Sequence, residues 1–171
     1  MSFLKSVVKS ISKFFIKKSD SSKKYKFMQG ESDTPLLQFE PPDFKKLEKK
    51  LRYKIENQQI FVEALTHRSF SQEDEQKQLK SNERMEFLGD SILNLIVAEF
   101  LFNKFPDAEE GTLTKIRSRL VNKKALSEYA NKIELFQFLL LSQNAIISFP
   151  KGIESILADA FEAIVAGIYQ D

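Results

Sequence analysis

Asn82-Glu83-Arg84-Met85-Glu86-Phe87-Leu88-Gly89-Asp90-Ser91-Ile92-Leu93 opens a long, strongly apolar pattern that runs on to Phe105. Its acids fall at i, i+3 and i+7. At about 100° per residue, Glu83, Glu86 and Asp90 share an arc of roughly 60° on a helix. Asn94 continues that stripe, while Met85, Phe87, Leu88, Ile92, Leu95 and Ile96 take most of the remaining circumference. A helix apolar on nearly every side is expected to be buried, so its acids must open into a cleft, be paired, or hold a metal.

The end of the chain repeats the arrangement. Ser155, Asp159 and Glu162 are spaced i, i+4 and i+7 and form one narrow polar stripe among Ile156, Leu157, Phe161, Ile164 and Val165. Ala158, Ala160, Ala163, Ala166 and Gly167 keep that helix thin enough for close packing. If the two stripes face each other, four or five carboxylates converge. Like charges about 4 Å apart repel by roughly 4 kcal/mol at a near-surface effective dielectric. Such a pocket takes up protons or binds cations. Spacing alone leaves two other readings open: the acids pair with Arg84, Lys115, Arg117 or Arg119 at helix crossings, or they are simply solvated.

Between and before these helices the pattern stays helical. Phe44–Leu51 is one amphipathic helix, and Ile60–Thr66 suggests another. Ser71–Ser81 reads as a charged loop, Pro106–Gly111 as a turn and Thr112–Leu120 as a short helix. Lys123–Leu141 holds one or two more helices, Ser142–Gly152 is a connection, and Ile153 begins the last helix. No alternating stretch reads convincingly as a strand, so the expected fold is all-α. Residues 1–42 read as a basic extension and tether, and residues 43–171 as the folded domain. Residues 1–26 carry eight lysines against one acid, Asp20, and the remainder is slightly acidic. Phe3, Leu4, Val7, Val8, Ile11, Phe14 and Phe15 recur at helical spacing within the extension. It reads first as a tail, with a membrane-surface helix through residues 1–18 or an RNA contact as the alternatives.

Composition narrows the chemistry. The absence of cysteine excludes disulfides, thiolate metal sites and a cysteine nucleophile. The single histidine, His67, leaves almost no material for a catalytic triad. A metal here is held by oxygen, which favours Mg²⁺ or Mn²⁺. No window is long and apolar enough to span a membrane, and lysines interrupt the N-terminal apolar residues, so no secretory signal is read. The expected location is the cytoplasm.

The Asn82–Leu93 stretch resembles the signature of the ribonuclease III family, N-E-R-[LM]-E-F-L-G-D-[SA]-[VI]-L, almost without deviation. Weaker matches lie in the same order. Leu47–Leu51 and Ala64–Ser69 look like the family's first helices, Glu110–Arg117 like its middle segment, and Ser155–Ala163 like its final acidic helix. The resemblance runs from about residue 43 to the end. It implies that Glu86, Asp90, Asp159 and Glu162 match the metal-binding and catalytic carboxylates, with Asp90 and Glu162 catalytic and Glu86, Asp159 and Glu162 on the metal. Glu83 and Asn82 support them, and Lys115, Arg117 and Arg119 are candidate RNA contacts, equally readable as a solvated basic face. His67 sits at a helix end in the family pattern, a structural place.

The resemblance further implies a homodimeric, Mg²⁺-dependent endoribonuclease, with Mn²⁺ able to substitute. Its substrate is double-stranded RNA, cut to 5′-phosphate products, and the expected role is in ribosomal and other precursor processing. Duplex RNA suits a protein that reads shape, because its deep major groove hides the base edges while 2′-hydroxyls and phosphates stay accessible. The alternative is a catalytically silent, RNA-binding relative, although such relatives tend to lose signature acids and this chain keeps them. Three departures stand out. Arg52 occupies a place where many members have glycine, and Ser142–Gly152 lacks a Gly-Gly-Arg-rich stretch. Gly167–Asp171 ends where the family usually continues into a double-stranded-RNA-binding domain. A fragment or a short form is expected, binding RNA more weakly and with strong salt dependence.

Overall fold

The computed structural model describes residues 41–72, 79–148 and 152–171. The amphipathic pattern of residues 1–18, with the membrane contact considered for it, lies outside the described residues. Helix α1 spans Phe44–Leu51, α2 Gln58–Leu65, α3 Arg68–Ser71 and α4 Glu83–Lys104. Then come α5 (Glu110–Leu120), α6 (Lys123–Lys132), a 3-10 turn (Leu135–Phe138), α7 (Gln143–Ser148) and α8 (Ile153–Gln170). Among the described residues, extended pairing is limited to one isolated bridge between Thr66 and Leu140. The all-α expectation is met.

The helix starts follow from local chemistry. Asp43 accepts from the Lys46 N–H at 3.0 Å and begins α1. Asn57 and Asn122 cap α2 and α6 in the same way. The Ser142 hydroxyl accepts from the Ala145 N–H at 3.0 Å, and α7 therefore forms inside the stretch expected to be a plain connection. Helix α1 ends at Arg52, whose φ of 54° and ψ of 38° are left-handed. That conformation disfavours a side chain by roughly 1–2 kcal/mol, partly offset by the extra freedom glycine has when unfolded. Arg52→Gly is accordingly expected to stabilise the protein by roughly 0.5–1 kcal/mol. Urea titration would show this as a higher midpoint at unchanged slope. A lower midpoint would mean that the Arg52 side chain is itself holding structure.

Among the described residues helix α8 is central, packed against α4 most extensively and then against α6 and α2. Leu157, Ala160, Ala163 and Ala166 on α8 are wholly buried and meet Leu93 and Ile96 of α4 and Phe61 of α2 within one core. The expectation that α4 is enclosed on nearly every side is corrected. Phe87 is 78% exposed, Leu95 58% and Phe102 71%, because the described elements leave that flank largely open, with α5 bordering it at Leu113 and Arg117. An apolar stripe on open surface remains, and it bears on assembly.

Candidate active site

Helices α4 and α8 cross at Gly89. A Cβ placed there would overlap the carbonyl oxygen and carbon of Glu162, so the crossing is backbone against backbone. This closeness sets which acids meet. On α4, Glu86 lies about 60° around the axis from Gly89, Asp90 about 100° and Glu83 about 120°. Glu86 is therefore turned toward α8, while the other two lean outward.

Glu86, Asp159 and Glu162 each offer a carboxylate oxygen, and these oxygens lie within 4.8 Å of one another. All three side chains are half-buried. Burial first, then the charges of Asp90, Glu86 and Asp159, push Glu162 up to about 8. Burial, Asp159 and Glu83 likewise raise Glu86. Burial raises Asp159 too, against the opposing pull of Lys123, of a hydrogen bond from Ser155 and of His67. Three crowded, desolvated carboxylates form a site that either holds protons or collects a cation. An all-carboxylate donor set suits a hard divalent ion such as Mg²⁺ or Mn²⁺.

The other expected residues take different places. Asp90 is exposed at the rim, where its Oδ1 accepts from the Asn94 side-chain amide at 2.9 Å. Its charge is nonetheless the largest single charge acting on Glu162. Glu83 is exposed, accepts from the Ser81 hydroxyl at 2.9 Å and stands 3.9 Å from Arg68. Asn82 is buried and ties α4 to the end of α2, its N–H donating to the Thr66 carbonyl at 2.8 Å. It supports the site through the scaffold. Lys115, Arg117 and Arg119 ride on α5, and Arg117 lines an apolar groove with Leu95, Phe102 and Leu113.

Pairing does not neutralise Glu86, Asp159 or Glu162. Among the described residues the ion pairs are Lys50–Glu134 and Arg68–Glu83, so Arg84, Lys115, Arg117 and Arg119 bridge none of them. His67 caps α3: its Nδ1 accepts from the Ser69 N–H at 3.2 Å, which leaves the neutral ring's proton on Nε2. Burial, then the neighbouring Arg68, lowers its pKa. Sequence reasoning passed over Lys123, whose Nζ donates to the Ser155 hydroxyl at 2.7 Å. No periodicity links a residue at the start of α6 to one on α8, and only the tertiary packing brings them together.

A family model described as Ribonuclease-III-like matches residues 57–171, which carry all of these acids. The chain belongs to the ribonuclease III family. Ribonuclease 3 of Aliarcobacter butzleri is 46% identical over 127 residues, covering 74% of this chain and 54% of that protein. Ribonuclease 3 of a Sulfurovum species is 43% identical over 127 residues, again 74% and 54%. The chain thus spans about half the length of the curated relatives it matches. The nuclease domain of ribonuclease III from Campylobacter jejuni superposes with a TM-score of 0.68 at 41% identity, covering 75% of this chain and 85% of that one. That structure is described as showing flexibility in a region involved in dimer formation. The ribonuclease III signature at Asn82–Leu93 is thus the start of α4, and its glycine is the residue on which the two acidic helices cross.

Proposed function

We propose that this chain is the catalytic part of a metal-dependent endoribonuclease that hydrolyses phosphodiester bonds in double-stranded RNA. It would act as a homodimer in the cytoplasm, in the processing of ribosomal and other precursor RNAs. The observation that carries the reading is the convergence of Glu86, Asp159 and Glu162 within 4.8 Å on two helices that match the family. These three residues would hold Mg²⁺, with Mn²⁺ as a substitute. Bound there, the ion would activate water, offset phosphate charge and fix the phosphate's orientation. Asp90, exposed beside Glu162, is assigned to orienting the attacking water, and Glu162 joins metal holding to catalysis. No histidine base is needed, consistent with a His67 occupied in capping α3.

The test is a gel assay of a long RNA duplex at low salt with the purified protein. Cutting to short duplexes with 5′-phosphate ends, in Mg²⁺ and not in chelator, is the expected result. An intact duplex beside a protein that demonstrably binds Mg²⁺ would sink the proposal.

Phe87, Leu95 and Phe102 lie on an arc of about 80° on α4, next to the acidic stripe. An open apolar stripe on a helix that also carries the site fits self-association, with two sites then sharing one face. Phe87→Asp, at a side chain 78% exposed, should leave the monomer folded and convert the dimer to monomer. Light scattering after gel filtration reads the mass, and circular dichroism the fold. An unchanged dimer mass would remove Phe87 from the interface.

A further inference from the structure

We propose that Lys123 binds a phosphate of the RNA strand being cut, a role resting on the nuclease reading above. A phosphodiester approaching Glu86, Asp159 and Glu162 meets like charge at each carboxylate. A fixed cation on the same lip would reduce that repulsion where the metal alone does not. Lys123 occupies that place. It is exposed at the first turn of α6, and its positive charge acts on all three carboxylates. Yet it is in ion-pair contact with no carboxylate among the described residues. Its hydrogen bond goes to Ser155 Oγ, a neutral acceptor, at 2.7 Å. That bond uses one of three ammonium donors and holds the group beside the acids without neutralising it. The Ser155 hydroxyl in turn points to Asp159 Oδ2 at 3.4 Å. The side chain is thus tethered next to the metal ligands with two donors left for an anion. Lys115, Arg117 and Arg119 lie on α5, and Arg117 lines the groove with Leu95, Phe102 and Leu113.

The competing role is positioning: Lys123 acting through Ser155 to place the Asp159 ligand oxygen. Three variants separate the two: Lys123→Gln, Lys123→Arg and Ser155→Ala. Each is measured for RNA-free Mg²⁺ affinity by calorimetry, for affinity to a long RNA duplex in chelator across a salt series, and for cleavage kinetics. If Lys123 contacts phosphate, Lys123→Gln raises KM about tenfold, roughly the value of one charged contact, and changes kcat less than about threefold. The slope of log affinity against log salt falls by about one. Mg²⁺ affinity is not reduced, Lys123→Arg restores the slope, and Ser155→Ala keeps it. Lowered Mg²⁺ affinity in both Lys123→Gln and Ser155→Ala, with an unchanged salt slope, would overturn the phosphate role in favour of positioning. If no protein cuts RNA, the nuclease reading fails by itself, while the binding slope still decides the place of Lys123.

Discussion

Glu162→Gln is expected to lower duplex cleavage by about a thousandfold or more, the scale of removing one electrostatic contact to a phosphoryl or acyl transition state. The same change should make the metal-free protein more stable at alkaline pH. Both effects come from one carboxylate. Glu162 is the group at which burial, Asp90, Glu86 and Asp159 all add, and its pKa stands at about 8. Glutamine keeps the shape and removes the charge, so the cation loses a ligand oxygen of full charge and the fold loses a repulsion. A variant that cut RNA at near-normal rate would take Glu162 out of the chemistry.

The sign of the pH dependence follows from the same value. The folded pKa of about 8 lies above the ordinary 4.5. This contribution to stability is therefore complete below the unfolded value and is lost as pH rises through about 8. The side chain is half exposed to water, so screening leaves only part of the nominal linkage energy. Melting in chelator should fall between about pH 5 and 8 for the native sequence and fall less for Glu162→Gln. Mg²⁺ should reverse the trend, because binding requires the ionised form and releases the proton. A melting temperature independent of pH in chelator, alike in both proteins, would mean that Glu162 is not desolvated as described.

How the site emerged from the chain differs residue by residue. The stripes of Glu83, Glu86 and Asp90 and of Ser155, Asp159 and Glu162 were legible because helical period is a local property. Only the family resemblance groups Glu86 with Asp159 and Glu162, and that Glu86 joins α8 while Glu83 and Asp90 face outward is not a property of the period. It depends on the rotation of α4 about its contact, and that rotation is set by Gly89 meeting the Glu162 backbone. Lys123 was invisible for a related reason: its partner Ser155 is 32 residues away and on another helix. The apolar circumference of α4 was read as burial, yet Phe87, Leu95 and Phe102 are open. Hydrophobic pattern tells which faces need cover, and it does not say whether the same chain supplies it. The helix Gln143–Ser148 went unread because six residues are too few for a periodic signal, and its start rests on one serine hydroxyl.

Gly89→Ala should destabilise the protein by more than about 3 kcal/mol, the upper range of overpacking, or prevent folding. The added methyl would overlap backbone atoms of Glu162, which cannot rotate away as a side chain tip would. The two helices would have to separate along the most extensive packing among the described residues. Wholly buried Leu93 and Leu157, and Ile96 beside them, would lose contacts on which the core rests. Separation would also draw Glu86 away from Glu162, so any folded remnant should bind Mg²⁺ poorly. Gly111→Ala is the matched control. Gly111 lies in α5, its added Cβ meets nothing within 4 Å, and its φ is not positive. Helix propensity alone then favours alanine by roughly 0.5–1 kcal/mol. The same substitution is thus expected to move the urea midpoint in opposite directions at the two glycines. Were Gly89→Ala to leave the midpoint and Mg²⁺ affinity unchanged, α4 and α8 would not cross there, and the convergence of the carboxylates would lose its structural cause.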